Sequence, residues 1–126
     1  MARTAVPYSN LVPNGNLADP AGTAVTSGAG NGGQIPATSS ARAVPELTII
    51  RAVNASGGSG TATVLAGTYP PALAAGQGNL AVTVANSGTQ WIGPFESGRF
   101  LQSDGSIIVE TSVAMTLTAF KVPRNT

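Results

Sequence analysis

The sequence contains no histidine and no cysteine, and only 9% of its residues are charged. The missing histidine removes the side chain whose ordinary pKa lies nearest neutrality. The missing cysteine removes disulfides, thiolate metal ligands and a thiol nucleophile, which fits a protein made in a reducing cytoplasm. Soluble domains average about 25% charged residues, so this surface is left largely to Thr, Ser, Asn, Gly and Ala, a composition suited to contact with other protein. The formal net charge is +1, and the basic residues are scattered singly. Nucleic acid and anionic membranes call for clustered Lys and Arg, so neither is an expected partner. No run reaches the roughly 18 apolar residues of a membrane helix, and the opening Met1-Ala2-Arg3-Thr4-Ala5-Val6-Pro7-Tyr8 lacks the apolar centre of a secretory signal.

What remains is enough for one core. A chain of 126 residues that is 42% hydrophobic matches a single domain, for which roughly two thirds of the unfolded surface is buried on folding. Residues 1–20 read as an extended arm, because Pro7, Pro13 and Pro20 with Asn14-Gly15 between them interrupt any helix or central strand. Tyr8, Leu11, Val12 and Leu17 lie in that arm without helical or strand period. Apolar side chains on a segment with no core of its own need another surface to cover them, so these four are the candidate interface residues. The arm is expected to contribute interface contacts more than core contacts.

Residues 21–126 read as a β domain. Thr23 to Thr26 suggests a short strand, and Ser27 to Ser40, with Gly28, Gly30, Gly32, Gly33 and Pro36, a long mobile loop. Short runs follow at Glu46 to Val53, Thr61 to Ala66, Leu80 to Ala85, Gln90 to Ile92, Arg99 to Gln102, Ser106 to Thr111 and Met115 to Val122. Leu80, Val82 and Val84 alternate with Ala81 and Thr83, and Met115, Leu117 and Ala119 with Thr116, Thr118 and Phe120, the period of half-buried strands. Asp104-Gly105 predicts a type I′ hairpin between the runs that flank it. Pro70-Pro71-Ala72-Leu73-Ala74-Ala75-Gly76 reads equally as one helical turn or an extended crossover. The fold expected is all-β: an antiparallel β-sandwich of jelly-roll or immunoglobulin-like kind. Its core is expected to contain Leu47, Ile49, Val64, Leu80, Val82, Val84, Trp91, Ile107, Val109, Leu117 and Phe120.

Chemistry-bearing patterns are sparse. Gly28-Ala29-Gly30-Asn31-Gly32-Gly33 has the G-x-G-x-x-G spacing, but Gln34-Ile35-Pro36 follows where a helix would have to begin and no acid lies about 20 residues on. The acids Asp19, Glu46, Glu96, Asp104 and Glu110 are dispersed, so neither a hydrolytic pair nor a calcium loop is expected. Lys121, the only lysine, falls late in an alternating strand and suits an edge charge more than a Ser-Lys site. Asn54-Ala55-Ser56 has the form of a glycosylation sequon and reads as a turn. No cofactor, metal or catalytic residue is expected. Trp91 reads as core; were it exposed, it would suggest a sugar platform or an interface anchor.

The segments Tyr69-Pro70-Pro71-Ala72-Leu73-Ala74-Ala75-Gly76-Gln77-Gly78, Trp91-Ile92-Gly93-Pro94-Phe95-Glu96-Ser97-Gly98-Arg99-Phe100 and Phe120-Lys121-Val122-Pro123-Arg124, with the opening Met1 to Val6 and Leu11-Val12-Pro13-Asn14-Gly15, resemble the small capsid decoration proteins of tailed bacteriophages. The resemblance implies a β-rich, non-enzymatic virion protein, often trimeric. It would be made in the host cytoplasm and bind the major capsid protein on the capsid exterior at local threefold positions, stabilising the shell. It carries no fixed motif of binding residues. Two other readings stand beside it: a carbohydrate-binding β-sandwich using Trp91, Tyr69 or Tyr8, and a phage tail or fibre component.

Overall fold

Alternation decides which face of each strand turns inward. In the segment Thr48–Val53, Thr48, Ile50 and Ala52 are buried while Ile49, Arg51 and Val53 are only partly so, and the same rhythm recurs at Gly60–Val64 and Ile107–Thr111. The computed structural model describes residues 3–35, 45–67, 78–95, 97–102 and 105–122. Its strands are β1 (Thr4–Ala5), β2 (Tyr8–Asn10), β3 (Thr23–Val25), β4 (Gly33–Ile35), β5 (Thr48–Val53), β6 (Gly60–Val64), β7 (Leu80–Val84), β8 (Thr89–Ile92), β9 (Ile107–Thr111) and β10 (Met115–Lys121). A single helical turn, α1, spans Ser97–Phe100. One sheet runs β1-β4-β9-β6-β7; the other runs β2-β10-β5-β8, with β3 also pairing β10.

The two sheets pack as a β-sandwich around Ile35, Ile50, Val64, Val84, Ile107, Val109 and Leu117, all fully buried. The pairing is nested: β3 with β10, β4 with β9, β5 with β8 and β6 with β7, all antiparallel. Two further antiparallel pairs, β5 with β10 and β6 with β9, join these ladders into sheets. One long hairpin rolled on itself in this way has the connectivity of a jelly roll. The sandwich is not wholly antiparallel, because β1 joins β4 and β2 joins β10 in parallel.

The residues expected as a separate arm are therefore divided. Residues 4–10 supply a strand to each sheet, and Val6 between them is 1% exposed within the core. Residues 11–20 form no strand. The expected loop from Ser27 is likewise interrupted by β4, whose Ile35 is fully buried. Gly33 explains why a glycine-rich stretch becomes a strand here: a Cβ would come within 2.8 Å of Val6 Cγ2 and 3.1 Å of Leu117 Cδ1, so a bare backbone is what lets Val6 seat.

Four other expectations change. The run from Glu46 opens with a 3-10 turn at Pro45–Leu47, so the inward residue is Ile50, with Leu47 and Ile49 half-buried; in a strand, a one-residue offset moves every side chain to the other face. Arg99 to Gln102 is not a strand, since α1 folds Phe100 edge-on against Phe95 at 5.4 Å, and both rings are buried. Gly105, at φ 86, does turn the chain, and its N–H donates to Gln102 O at 2.9 Å, but β9 then pairs with β4 and β6 in place of a hairpin partner. Asp104, Tyr69 and the Pro70 to Gly76 segment lie outside the described residues. Finally, Trp91 is 60% exposed and not core. Its register partner Arg51 lies on the outer face of β5.

Candidate interaction surface

The outer face of the β2-β10-β5-β8 sheet holds the largest side chains outside the core. Register sets Trp91 of β8 beside Arg51 of β5, and Arg51 beside Thr118 of β10. Phe120, two residues further along β10, lies diagonally across. The Trp91 and Phe120 rings stack with centroids 5.4 Å apart and planes at 26°. The Arg51 guanidinium carbon is 5.7 Å from the Trp91 centroid and 5.6 Å from that of Phe120, within the range where a cation is attracted to an aromatic ring. Phe120 is buried by this arrangement although it faces outward, whereas Trp91, on the terminal strand, stays open.

Arg51 also ties down the chain that leads into β3. Its NH1 pairs with the Asp19 carboxylate, while NH2 donates to Pro20 O at 2.8 Å and to Thr118 Oγ1 at 3.2 Å. Asp19 is 81% exposed, so the ion pair alone contributes little, on the order of 0–1 kcal/mol. Gly22, at φ +85, lets the chain pass closely over β10, because a Cβ there would lie 2.5 Å from Thr118 Oγ1 and 2.7 Å from Thr116 Cγ2. Residues 19–22 thus lie over Arg51, Thr116 and Thr118 on the outer face, while Trp91 is left open.

Of the four arm residues singled out by sequence, two are open and two are not. Val12 is 59% exposed and Leu17 38%. Val12 begins a turn in which Pro13 precedes Asn14 at φ 58 and Gly15 N–H donates to Val12 O at 3.2 Å, the pattern of a type II turn. Leu11 is half-buried, with its N–H donating to Lys121 O at 3.1 Å. Tyr8 packs on the core, shares a hydrogen bond of 2.7 Å with Thr48 Oγ1 and lies under the Lys121 ammonium, 5.9 Å from its ring centroid. Of the residues expected in the core, Leu47, Ile49, Leu80 and Val82 are half-buried and Trp91 alone is open. The signal available was its spacing: Ile92, one residue on, is the inward member of β8.

The described acids are engaged structurally. Glu110 Oε2 accepts from Arg3 NH1 and from Gly30 N–H, both at 2.9 Å, and borders an open groove of about 260 Å³ lined otherwise by Gly28, Ala29, Thr61, Thr63, Asn79 and Ser112, among others. Among the described residues no group of His, Cys, Asp or Glu could hold a metal ion, and no helix is long and apolar enough to cross a membrane. Asn54, read as a turn, is fully buried: its amide donates to Gly58 O at 2.8 Å and Val84 O at 3.0 Å, and its Oδ1 accepts from Ser56 N–H at 3.0 Å. No protein-family model, curated protein or solved structure matches the chain.

Proposed function

We propose that this chain is a non-catalytic structural protein of a phage virion that docks on the outer surface of the capsid shell through the Trp91 face and the arm residues Val12 and Leu17. The observation that carries the reading is Trp91, a large aromatic 60% exposed on a rigid sheet face and backed by Phe120 and Arg51. A Trp held this way has the character of a binding anchor: much contact area, one packed side and little conformational freedom to lose. Val12 and Leu17 add apolar surface on a segment that carries few charges, which suits a protein partner. The resemblance to capsid decoration proteins supplies the identity of that partner, the major capsid protein.

Cosedimentation with undecorated capsid shells tests the reading. The intact chain should pellet with shells, and Trp91→Ala and the pair Val12→Ser with Leu17→Ser should each weaken binding at least tenfold while leaving circular dichroism unchanged. Equal binding by all three proteins would sink it. A carbohydrate-binding reading draws on the same exposed ring, but a flat sugar platform of two open aromatics is absent among the described residues: Phe120 is buried and Tyr8 half-buried. Quenching of Trp91 fluorescence by oligosaccharides, without shell binding, would favour it.

A further inference from the structure

We propose that two copies of this chain pair edge to edge through β8, antiparallel and about a two-fold axis at Gln90. The backbone polarity of β8 follows from its ladder with β5. Asn54 N–H donates to Gly88 O at 3.0 Å, in the same register as Ala52↔Gln90 and Ile50↔Ile92. Hydrogen-bonded positions recur at every second residue of an antiparallel pair. Gly88, Gln90 and Ile92 therefore turn their N–H and C=O toward β5, and Thr89 and Trp91 turn theirs away from it. The same reasoning applies to β7. Leu65 N–H to Ile108 O and Ser112 N–H to Thr61 O aim Thr61, Thr63 and Leu65 at β9, which leaves Ala81 and Thr83 of β7 with outward backbone groups.

β7 and β8 end their sheets on the same side of the sandwich. Proteins that remain single guard such edges with lysine, proline or inward charge. Here Leu80 through Ile92 contains neither a charge nor a proline, and no charged residue lies between Arg51 and Glu96. The outward backbone groups of β8 are also self-complementary. Thr89 and Trp91 are two residues apart, so a two-fold operation sets Thr89 opposite Trp91 of the second copy as a hydrogen-bonded pair, and Trp91 opposite Thr89, with the two Gln90 residues as the narrow pair between them. Each Trp91 ring then lies beside a β-branched threonine on the outer face, a favourable cross-strand neighbour. Among the described residues, the opposite side of the sandwich offers β1, with two residues, and β2 and β3, with three each. Head-to-tail pairing, which would build a ring such as a trimer, would have to grip one of these two- or three-residue strands, each shorter than the four residues of β8.

The inference stands independently of the capsid reading, and its test needs no capsid. The chain has no cysteine, so a single Gln90→Cys substitution reports only on the proposed axis. Narrow antiparallel pairs bring Cα atoms within disulfide range. Under mild oxidation Gln90→Cys should give a disulfide-linked dimer, whereas Ala55→Cys, on the exposed loop after β5, should stay monomeric on a denaturing gel. In sedimentation the parent chain should be a dimer, and Thr89→Pro, which removes an N–H not used by β5, should be a monomer with unchanged circular dichroism. Should Thr89→Pro fail to fold, Trp91→Lys serves as the second monomerising variant. A parent chain that sediments as a monomer or a trimer, or Gln90→Cys that cross-links no better than Ala55→Cys, overturns the proposal. Shell binding by monomeric Thr89→Pro would leave the docking reading intact.

Discussion

Leu117 and Trp91 are both large, apolar and placed on strands, yet they should answer opposite questions when removed. Leu117 is fully buried between the sheets and touches the Gly33 and Val6 region; Leu117→Ala should lower unfolding stability by about 2–5 kcal/mol, read from chemical denaturation. Trp91 is stacked on one side only, so Trp91→Ala should cost roughly 0.5–1.5 kcal/mol and show its effect in binding. Asn54 is the polar counterpart. Its buried amide satisfies the Gly58 carbonyl in its own loop and the Val84 carbonyl at the end of β7, so Asn54→Ala should destabilise by about 1–3 kcal/mol, while exposed Ser59→Ala in the same loop should change little. Equal shifts for Asn54→Ala and Ser59→Ala would mean that the amide network contributes nothing.

At the scale of elements, the N-terminal segment behaves as two pieces. Residues 3–10 are wedged into both sheets, and Val6 closes the core over Gly33, so removing them should expose core and lower stability, with Val6→Ala alone costing on the order of 1–3 kcal/mol. Residues 11–18 make few ties and present Val12 and Leu17 outward. Replacing those two by serine should leave the denaturation midpoint unmoved and affect association only. If Val6→Ala were as silent in denaturation as the double serine variant, β1 and β2 would be dispensable to the sandwich. Both pieces looked alike in sequence because prolines punctuate them equally; only a partner strand distinguishes a paired extended segment from an unpaired one.

For the whole molecule, the nested ladders impose long loops. β3 must find β10 across nearly the entire domain, and chain closure over such distances costs entropy before any contact repays it. Refolding from denaturant should therefore take milliseconds to seconds, the range of β-sandwiches, and recovery of the full native signal within the dead time of a stopped-flow instrument would contradict the nested topology. The same topology places both unguarded edges, β7 and β8, on one side and the arm strands on the other. That asymmetry is what makes one side of the sandwich suited to a second copy.

The sequence by itself determined the class of fold and most of its strands. Alternation at Leu80 to Val84 and from Met115 to Thr118 needs no tertiary information, because a period of two is that of a pleated strand; that both faces of β10 are covered near Phe120 is visible only in the fold. It also determined the paucity of titratable chemistry, which is a matter of composition. The tertiary structure decided what alternation leaves open. Which of Ile49 and Ile50 turns inward depends on where the 3-10 turn ends, and whether Trp91 is buried depends on β8 being terminal in its sheet. The short strands β1, β2 and β4 carry almost no pattern of their own; they exist because neighbouring backbone is present to bond them, and neighbours that are far apart in sequence are visible only once the chain has folded.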